Sequence, residues 1–358
     1  MYVRKVNLPI TIRALPWMLA IAVGTAAAQC PDGSPPPCRG ARSAAVRRID
    51  PPLDADKWMI VPFDKLSNAA DVEWLRDASV ISLYQDLSRW QDIRVVDDER
   101  VRDLVRNALA LQGEKAVPRT LALAFAKRMG AGKLVMGDII KNGGAGTSLT
   151  AKLYDVKTGD RMRTAQQNAI APDSLLPAFG RLARDIINLP RPEGLSVSFA
   201  GTSRIDAAQE YVAGVKALNK FILPEAQRHF ERAVALDPTF ALAHYKLIQS
   251  LGWGGWNDPR LRTSGEASVR FSAALPARER SLIAANAALG RSDFYAACVI
   301  YSGLVRTDSL DTEATLGFGD CSHHDPTVVR IPGDTTRFRF VHDWNESNRA
   351  FERVLAQD

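Results

Sequence analysis

The fold class this sequence predicts is an α/β domain with a mixed sheet and flanking helices, followed by an all-α array of helical repeats. Three observations predict it. Short apolar runs alternate with helical patterns through residues 55–190. From Ser203 onward strand patterns almost vanish and helix patterns recur. A segment near residue 230 returns almost unchanged near the end of the chain, as Phe230-Glu231-Arg232 and Phe351-Glu352-Arg353. The 358 residues leave room for two or three domains, and 46% hydrophobic with 24% charged content suits globular protein that buries real cores.

The elements follow in order. Arg4, Lys5 and Arg13 precede an uncharged apolar run at 14–28, which ends in Ala26-Ala27-Ala28. That is the layout of a secretory signal peptide, residues 1–28. An uncleaved N-terminal anchor is the second reading and the membrane attachment expected if there is one; a lipid-attached Cys30 is a minor third, because Gln29 is a poor residue just before a lipidated cysteine. A span needs about 20 apolar residues, and Arg13 shortens this one. All three export the rest of the chain, to the periplasm or to a membrane anchor facing it. Residues 29–54 are rich in Pro, Arg, Ser and Asp and read as a linker. In an oxidising compartment Cys30 and Cys38, which bracket Pro35-Pro36-Pro37, favour a small disulfide loop over two free thiols. No histidine lies near them for a zinc site, and no C-x-x-C redox motif is present.

The α/β domain spans 55–190. Trp58-Met59-Ile60-Val61 and Phe63 form a short apolar run of the buried-strand type. Val72, Leu75, Val80, Leu83, Tyr84 and Leu87 then fall at helical spacing. A second short strand covers 92–97. Two more helices follow at 98–112 and 118–130, where Pro118 suits a first turn and Gly130 a C-terminal cap. Leu134-Val135-Met136 begins a β-meander with turns at Asn142-Gly143-Gly144 and Lys157-Thr158-Gly159-Asp160; Leu149, Ala151, Leu153 and Asp155 alternate with their neighbours. An amphipathic helix at 174–189 closes the domain.

The array spans 203–358. With Pro238 as the closing proline of a 34-residue unit, Gly214, Ala226, Phe230 and Ala233 fall where a tetratricopeptide repeat (TPR) places small or aromatic packing residues, although Glu210 and Ala217 are off that pattern. A second unit at 278–311 puts Ala297, Tyr301 and Leu304 at the matching positions, with Ser309 in place of proline. "AFERVLAQD" aligns with "HFERAVALD" at 229–237, which gives Phe351 the role of Phe230 and predicts that the chain stops within an incomplete repeat.

Residues 57–99, "KWMIVPFDKLSNAADVEWLRDASVISLYQDLSRWQDIRVVDDE", resemble the TolB-amino-terminal-like domain of bacterial regulatory proteins. "AKRMGAGKLVMGDIIKNGGAGTSLTAKLYDVKTGD" resembles a later part of the same domain. Tetratricopeptide repeats commonly follow that domain, and "CPDGSPPPC" is similar to a leader that precedes it in some membrane-bound bacterial serine/threonine kinases. The resemblance covers nearly all of 30–358. It implies sensing or scaffolding through protein contacts, no catalytic residues and no cofactor. No kinase motif precedes the leader, so the resemblance describes a kinase outer region alone.

Net charge is +6, of which the first 28 residues supply three; acids and bases alternate through the rest, with no basic stripe for nucleic acid. "CSHHDP" offers Cys321, His323, His324 and Asp325 as metal ligands, the basis of a rival metal-dependent enzyme. The competing expectation places Cys298 midway in the first helix of its unit and Cys321 near the end of the next, facing each other as a disulfide. "KNGGAG" lacks the ending of a phosphate loop and reads as a hairpin turn. In "GWGGW", Trp253 and Trp256 either plug the inter-repeat core or form an exposed anchor for a partner. The function expected is a non-enzymatic scaffold of the bacterial envelope that holds a protein or peptide in the groove of the repeats. An accessory sensor for a separate membrane kinase is the alternative.

Overall fold

The computed structural model describes residues 50–90, 92–113, 116–141, 143, 146–188 and 201–356. The expected signal segment and the Cys30–Cys38 loop lie outside the described residues, as do two of the three residues of the 142–144 turn. The first strand, β1 (Asp54–Ile60), pairs in parallel with β3 (Arg94–Val95) and β4 (Ala131–Lys141). A two-residue β2 (Asp64–Lys65) also pairs in parallel with β4. Then β5 (Thr147–Asp155) and β6 (Arg161–Ile170) add antiparallel, which gives a mixed sheet in the order β3-β1-β4-β5-β6.

The run at 58–63 is apolar at successive positions because both faces of the sheet are covered. Ile60 and Phe63 join α1 (Leu75–Leu87) and α4 (Leu175–Ile187) in one core. Met59 and Val61 join α2 (Asp98–Gln112) and α3 (Arg119–Arg128) in the other. Local chemistry sets the ends of these elements. The Asp155 carboxylate accepts from the Lys157 and Thr158 amides at 2.8 and 2.9 Å and bends the chain from β5 into β6. Asp97 caps α2 by accepting a backbone N–H of its first turn, and Asp293, Asp311 and Asp343 cap three later helices in the same way.

The array is four helix pairs packed in succession: α5 (Ile205–Asn219) with α6 (Leu223–Leu236), α7 (Ala241–Gly252) with α8 (Arg260–Phe271), α9 (Ala277–Gly290) with α10 (Phe294–Thr307), and α11 (Thr312–His324) with α12 (Trp344–Leu355). Glycine permits the close approach within a pair. A β-carbon on Gly214 would lie 2.6 Å from the Phe230 ring, and one on Gly319 would lie 2.6 Å from the Phe351 ring. Buried Ala226, Ala233, Ala297 and Tyr301 complete these contacts, with Leu304 packed at the edge. Pro238 lies in the short connection from α6 to α7.

Two expectations are corrected here. Cys298 lies in α10, the second helix of its pair, because the turn at 291–293 comes before it. Strand does return in the array: β7 (Val328–Ile331) and β8 (Asp334–Phe340) form a hairpin between α11 and α12. Gly214 and Phe230 are therefore close in sequence, whereas Gly319 and Phe351 stand either side of an inserted hairpin.

The sheet region and the array pack into one body. Trp74, Ala78 and Ile81 of the first region enter the same core as Ala208, Tyr211, Val212 and Leu282 of the array. The open groove expected of the repeats is consequently not open. The first helices of three pairs, α5, α7 and α9, meet α1 and α2 of the same chain, and Arg100 of α2 donates to the Leu310 carbonyl just before α11.

Candidate functional site

The densest constellation of functional groups lies along that internal contact. The first region supplies Tyr84 from the end of α1, Asp97 as the α2 cap, and Glu99. The array supplies Lys246 from α7, Arg278 and Glu279 from α9, and Asp311 and Glu313 from the start of α11.

Arg278 is the hub. Its Nε and Nη2 donate to Asp311 at 2.7 and 2.8 Å in a two-pronged pair. Nη2 also lies 2.9 Å from Asp97 Oδ2 across the contact, without the alignment of a hydrogen bond. Nη1 reaches Glu279 Oε1 and the Tyr84 hydroxyl, each at 3.2 Å, and Tyr84 itself donates to Glu279 at 2.6 Å. Lys246 is the second hub. Its ammonium pairs with Glu99 of α2 and, at 2.9 Å, with Glu313, which also accepts from Tyr245 at 2.7 Å and from Gln249 at 2.9 Å. At the border Lys216 of α5 meets Asp77 of α1 at 3.0 Å.

Carboxylates outnumber cations in this cluster, and burial divides their behaviour. Burial pushes Asp97 up to about 8, only partly opposed by Arg278. Glu99 and Glu279 are also raised by burial, against the pull of Lys246 and Arg278 respectively. Glu313 goes the other way. Burial would raise it, but Lys246 and Arg278 outweigh that and hold it at about 2. A cavity of about 30 Å³ lies between Gln85, Glu99, Tyr211, Lys246, Glu279 and Glu313. Roughly one or two waters fit such a space. Buried Gln85 Oε1 and Glu279 Oε2 accept no hydrogen bond from the protein. The arrangement resembles an acid–base site in its shifted carboxyls, but each charge is committed to the internal contact and the space is too small for a substrate.

None of these residues stood out as a site in the sequence, where Tyr84 reads only as a core position of its helix. Asp97 to Arg100 and Arg278-Glu279 read as ordinary charged helix starts. The available signal was Lys246, a lone cation in "ALAHYKLIQSLG", whose helix is buried on most sides.

Cys298 and Cys321 are joined as a disulfide between α10 and α11, with Cα atoms 5.5 Å apart. The metal reading of 321–325 is overturned by these partners. Cys321 is committed to sulfur, and Asp325 pairs with His342 at 2.7 Å. His323 stacks on Trp344 and His324 on Phe294. Among the described residues no group of three or more His, Cys, Asp or Glu is arranged to hold a metal. The two tryptophans part company. Trp256 folds over Gly252 against the array core. Trp253 is 59% exposed and meets Phe221, 61% exposed, edge-to-face at 5.4 Å. Phe221 holds a left-handed backbone, φ 57°, an uncommon conformation for a bulky residue. Among the described residues no helix is long and apolar enough to cross a membrane.

No protein-family model matches the chain, and no curated protein matches it in sequence. Three solved structures show a slight likeness. The LpoB C-terminal domain from Salmonella enterica is 19% identical over 33% of this chain and 84% of that one, with a TM-score of 0.22. Lipoprotein GNA1162 from Neisseria meningitidis is 15% identical over 38% and 96%, with a TM-score of 0.26. TolB from Acinetobacter baumannii is 18% identical over 39% and 30%, with a TM-score of 0.24. Likeness at these scores carries no functional argument.

Proposed function

We propose that this chain is an exported, non-enzymatic protein-interaction module of the bacterial envelope, with helix pairs of the tetratricopeptide type. The observation that carries this is the exposed Phe221–Trp253 pair, with Ile222 beside it, on the turns that join the helices within the first two pairs. Large aromatics held together in water are the residue types that anchor protein interfaces. The left-handed backbone at Phe221 belongs to the turn, since Ser292 in the matching turn holds φ 60°; what supports the reading is that a bulky, exposed phenylalanine occupies a position glycine would fill without strain. The partner docks on this turn edge, since α1 and α2 already cover the first helices. Export is supported by the basic-then-apolar layout of residues 1–28 and by the joined Cys298 and Cys321.

A photo-reactive phenylalanine analogue placed at position 253 tests the reading in living cells. The expected result is one discrete adduct with an envelope protein, lost in Phe221→Ala and absent when the analogue stands at exposed Leu111. No adduct at 253, or equal adducts at both positions, overturns it. Sequencing the adduct also decides the sensor alternative, which requires a membrane kinase there. Non-reducing mass mapping of periplasmic protein checks the compartment, and a free Cys298 would count against export.

A further inference from the structure

The β7–β8 hairpin is not used by anything described so far. It stands between α11 and α12, clamped at its base by the His342–Asp325 pair at 2.7 Å and by the Val341 amide donating to the Thr327 carbonyl at 2.8 Å. Beyond the base its register places Val328 opposite Phe340 and Arg330 opposite Phe338. Those four side chains share one face, because strand side chains alternate. Phe338 and Phe340 are 54% and 56% exposed, and Val328 is exposed beside them. Arg330 lies over the Phe338 ring at 5.6 Å. Arg337 and Arg339 point to the opposite face and are exposed.

A two-stranded hairpin is marginal in water unless its apolar face packs on something. Phe338 and Phe340 keep more than half of their surface in water, with Arg330 over the Phe338 ring, and among the described side chains no carboxylate pairs with Arg330, Arg337 or Arg339. Exposed Trp344 and Tyr295 stand at the base. The set is therefore phenylalanines and valine outward, arginines on both sides, and amphipathic aromatics at the root. Such a composition suits the boundary between lipid headgroups and acyl chains, where apolar bodies sink and cationic ends stay in the polar layer. The hairpin holds three arginines to one acid, Asp334, and that excess of positive charge favours anionic headgroups. It also disfavours edge pairing with a second copy of this hairpin, which would set arginine against arginine.

We propose that the β7–β8 hairpin is a membrane-docking element. It enters edge-on through β8, so that Phe338 and Phe340 sink into the interface of a bilayer while Arg330 on their face and Arg337 and Arg339 on the other hold anionic phospholipid headgroups. The proposal does not depend on the Phe221–Trp253 reading, which uses a different patch.

Hydrogen exchange of the 327–341 amides in the full chain tests it locally, so that the apolar 14–28 segment, common to all samples, does not enter the readout. With vesicles of phosphatidylglycerol and phosphatidylethanolamine, exchange across the hairpin slows severalfold. It returns to the lipid-free rate in 0.5 M salt, the expected screening of charge held at a surface. Phosphatidylcholine vesicles leave it unchanged. Arg337→Gln with Arg339→Gln raises the anionic lipid needed for half-protection about thirtyfold, at about a tenfold loss per 1.4 kcal/mol and about 1 kcal/mol for each arginine. Phe338→Ser with Phe340→Ser removes protection. Unchanged exchange in α10 and α11 certifies that each variant folds, and the salt comparison needs no variant. No slowing with anionic vesicles overturns the proposal, as does equal slowing in the arginine variant. Protection by poly-glutamate without lipid would also overturn it, and would assign the hairpin to an acidic peptide added as a strand.

Discussion

The internal contact and the hairpin both set arginine beside aromatic residues, and they treat that charge in opposite ways. Arg278 lies beside Asp97, Glu279 and Asp311 and shares a hydrogen-bonded network with Tyr84. Arg330 lies over Phe338, and Arg337 and Arg339 stand exposed with no carboxylate partner among the described residues. A buried cation requires several acceptors because desolvation would otherwise exclude it. An exposed cation needs none, so its lack of a partner leaves it available to something outside the molecule. The first arrangement holds two parts of one chain together, and the second faces outward.

Removing one arginine from each region separates the two most sharply. Arg278→Ala strands Asp97, Glu279 and Asp311 in the contact. Breaking a buried pair in this way costs about 3–5 kcal/mol. The urea midpoint should fall accordingly, and the 98–112 amides of α2 should lose exchange protection first. Arg337→Ala should leave the midpoint in place. Equal midpoints for the two variants would mean that the contact around Arg278 adds nothing to stability.

A smaller effect comes from pH, and its sign differs within the contact. The folded Asp97 carboxyl titrates at about 8, against about 3.9 in an unfolded chain. Between those values the folded protein keeps a proton that the unfolded chain releases. Asp97 therefore lowers stability as pH rises, by at most about 1.4 kcal/mol per unit. Glu313, held at about 2, behaves in reverse. Its contribution is complete above the ordinary glutamate value and is lost only as pH falls toward 2. From pH 5.5 to 7.5 the Asp97 effect stands without a change in Glu313. Asp97→Asn keeps a good helix cap and should flatten the decline in urea midpoint over that range. An identical slope in wild type and variant would show that Asp97 is ionised throughout.

How much of this was legible in the sequence differs by region. Trp58 to Val61, the 147–170 meander and the Phe230 and Phe351 segments followed from short-range rules, since period, turn residues and repeat spacing are all local. The hairpin also had a local signal: Arg and Phe alternate at 337–340, and Pro332-Gly333 marks a turn. It was missed because helical periodicity on both sides made a return to strand unexpected. The internal contact had almost no local signal. Asp97, Lys246, Arg278 and Glu313 come from four helices far apart in sequence, and charged residues near a helix start are most often solvated. Only packing α1 and α2 against the first helices brings them together, and that packing also closes the groove which repeat spacing alone had suggested was open.

The smallest effect expected lies on the turn edge, and it has the opposite sign to the first. Phe221 sits at φ 57°, and Ser292, in the matching turn of the third pair, sits at φ 60°. Glycine adopts that conformation freely, whereas a bulky side chain is strained there by about 1–2 kcal/mol. Phe221→Gly should relieve this strain. Glycine's greater freedom in the unfolded chain and the lost contact with Trp253 take back part of the gain. The net should be a rise of a few tenths to about 1 kcal/mol in stability by urea unfolding. The same variant should lose the adduct at position 253. A residue that weakens the fold while strengthening binding is kept for the partner. If Phe221→Gly is instead destabilising with the adduct intact, Phe221 serves as packing for Trp253, and the docking surface must be sought elsewhere on that edge.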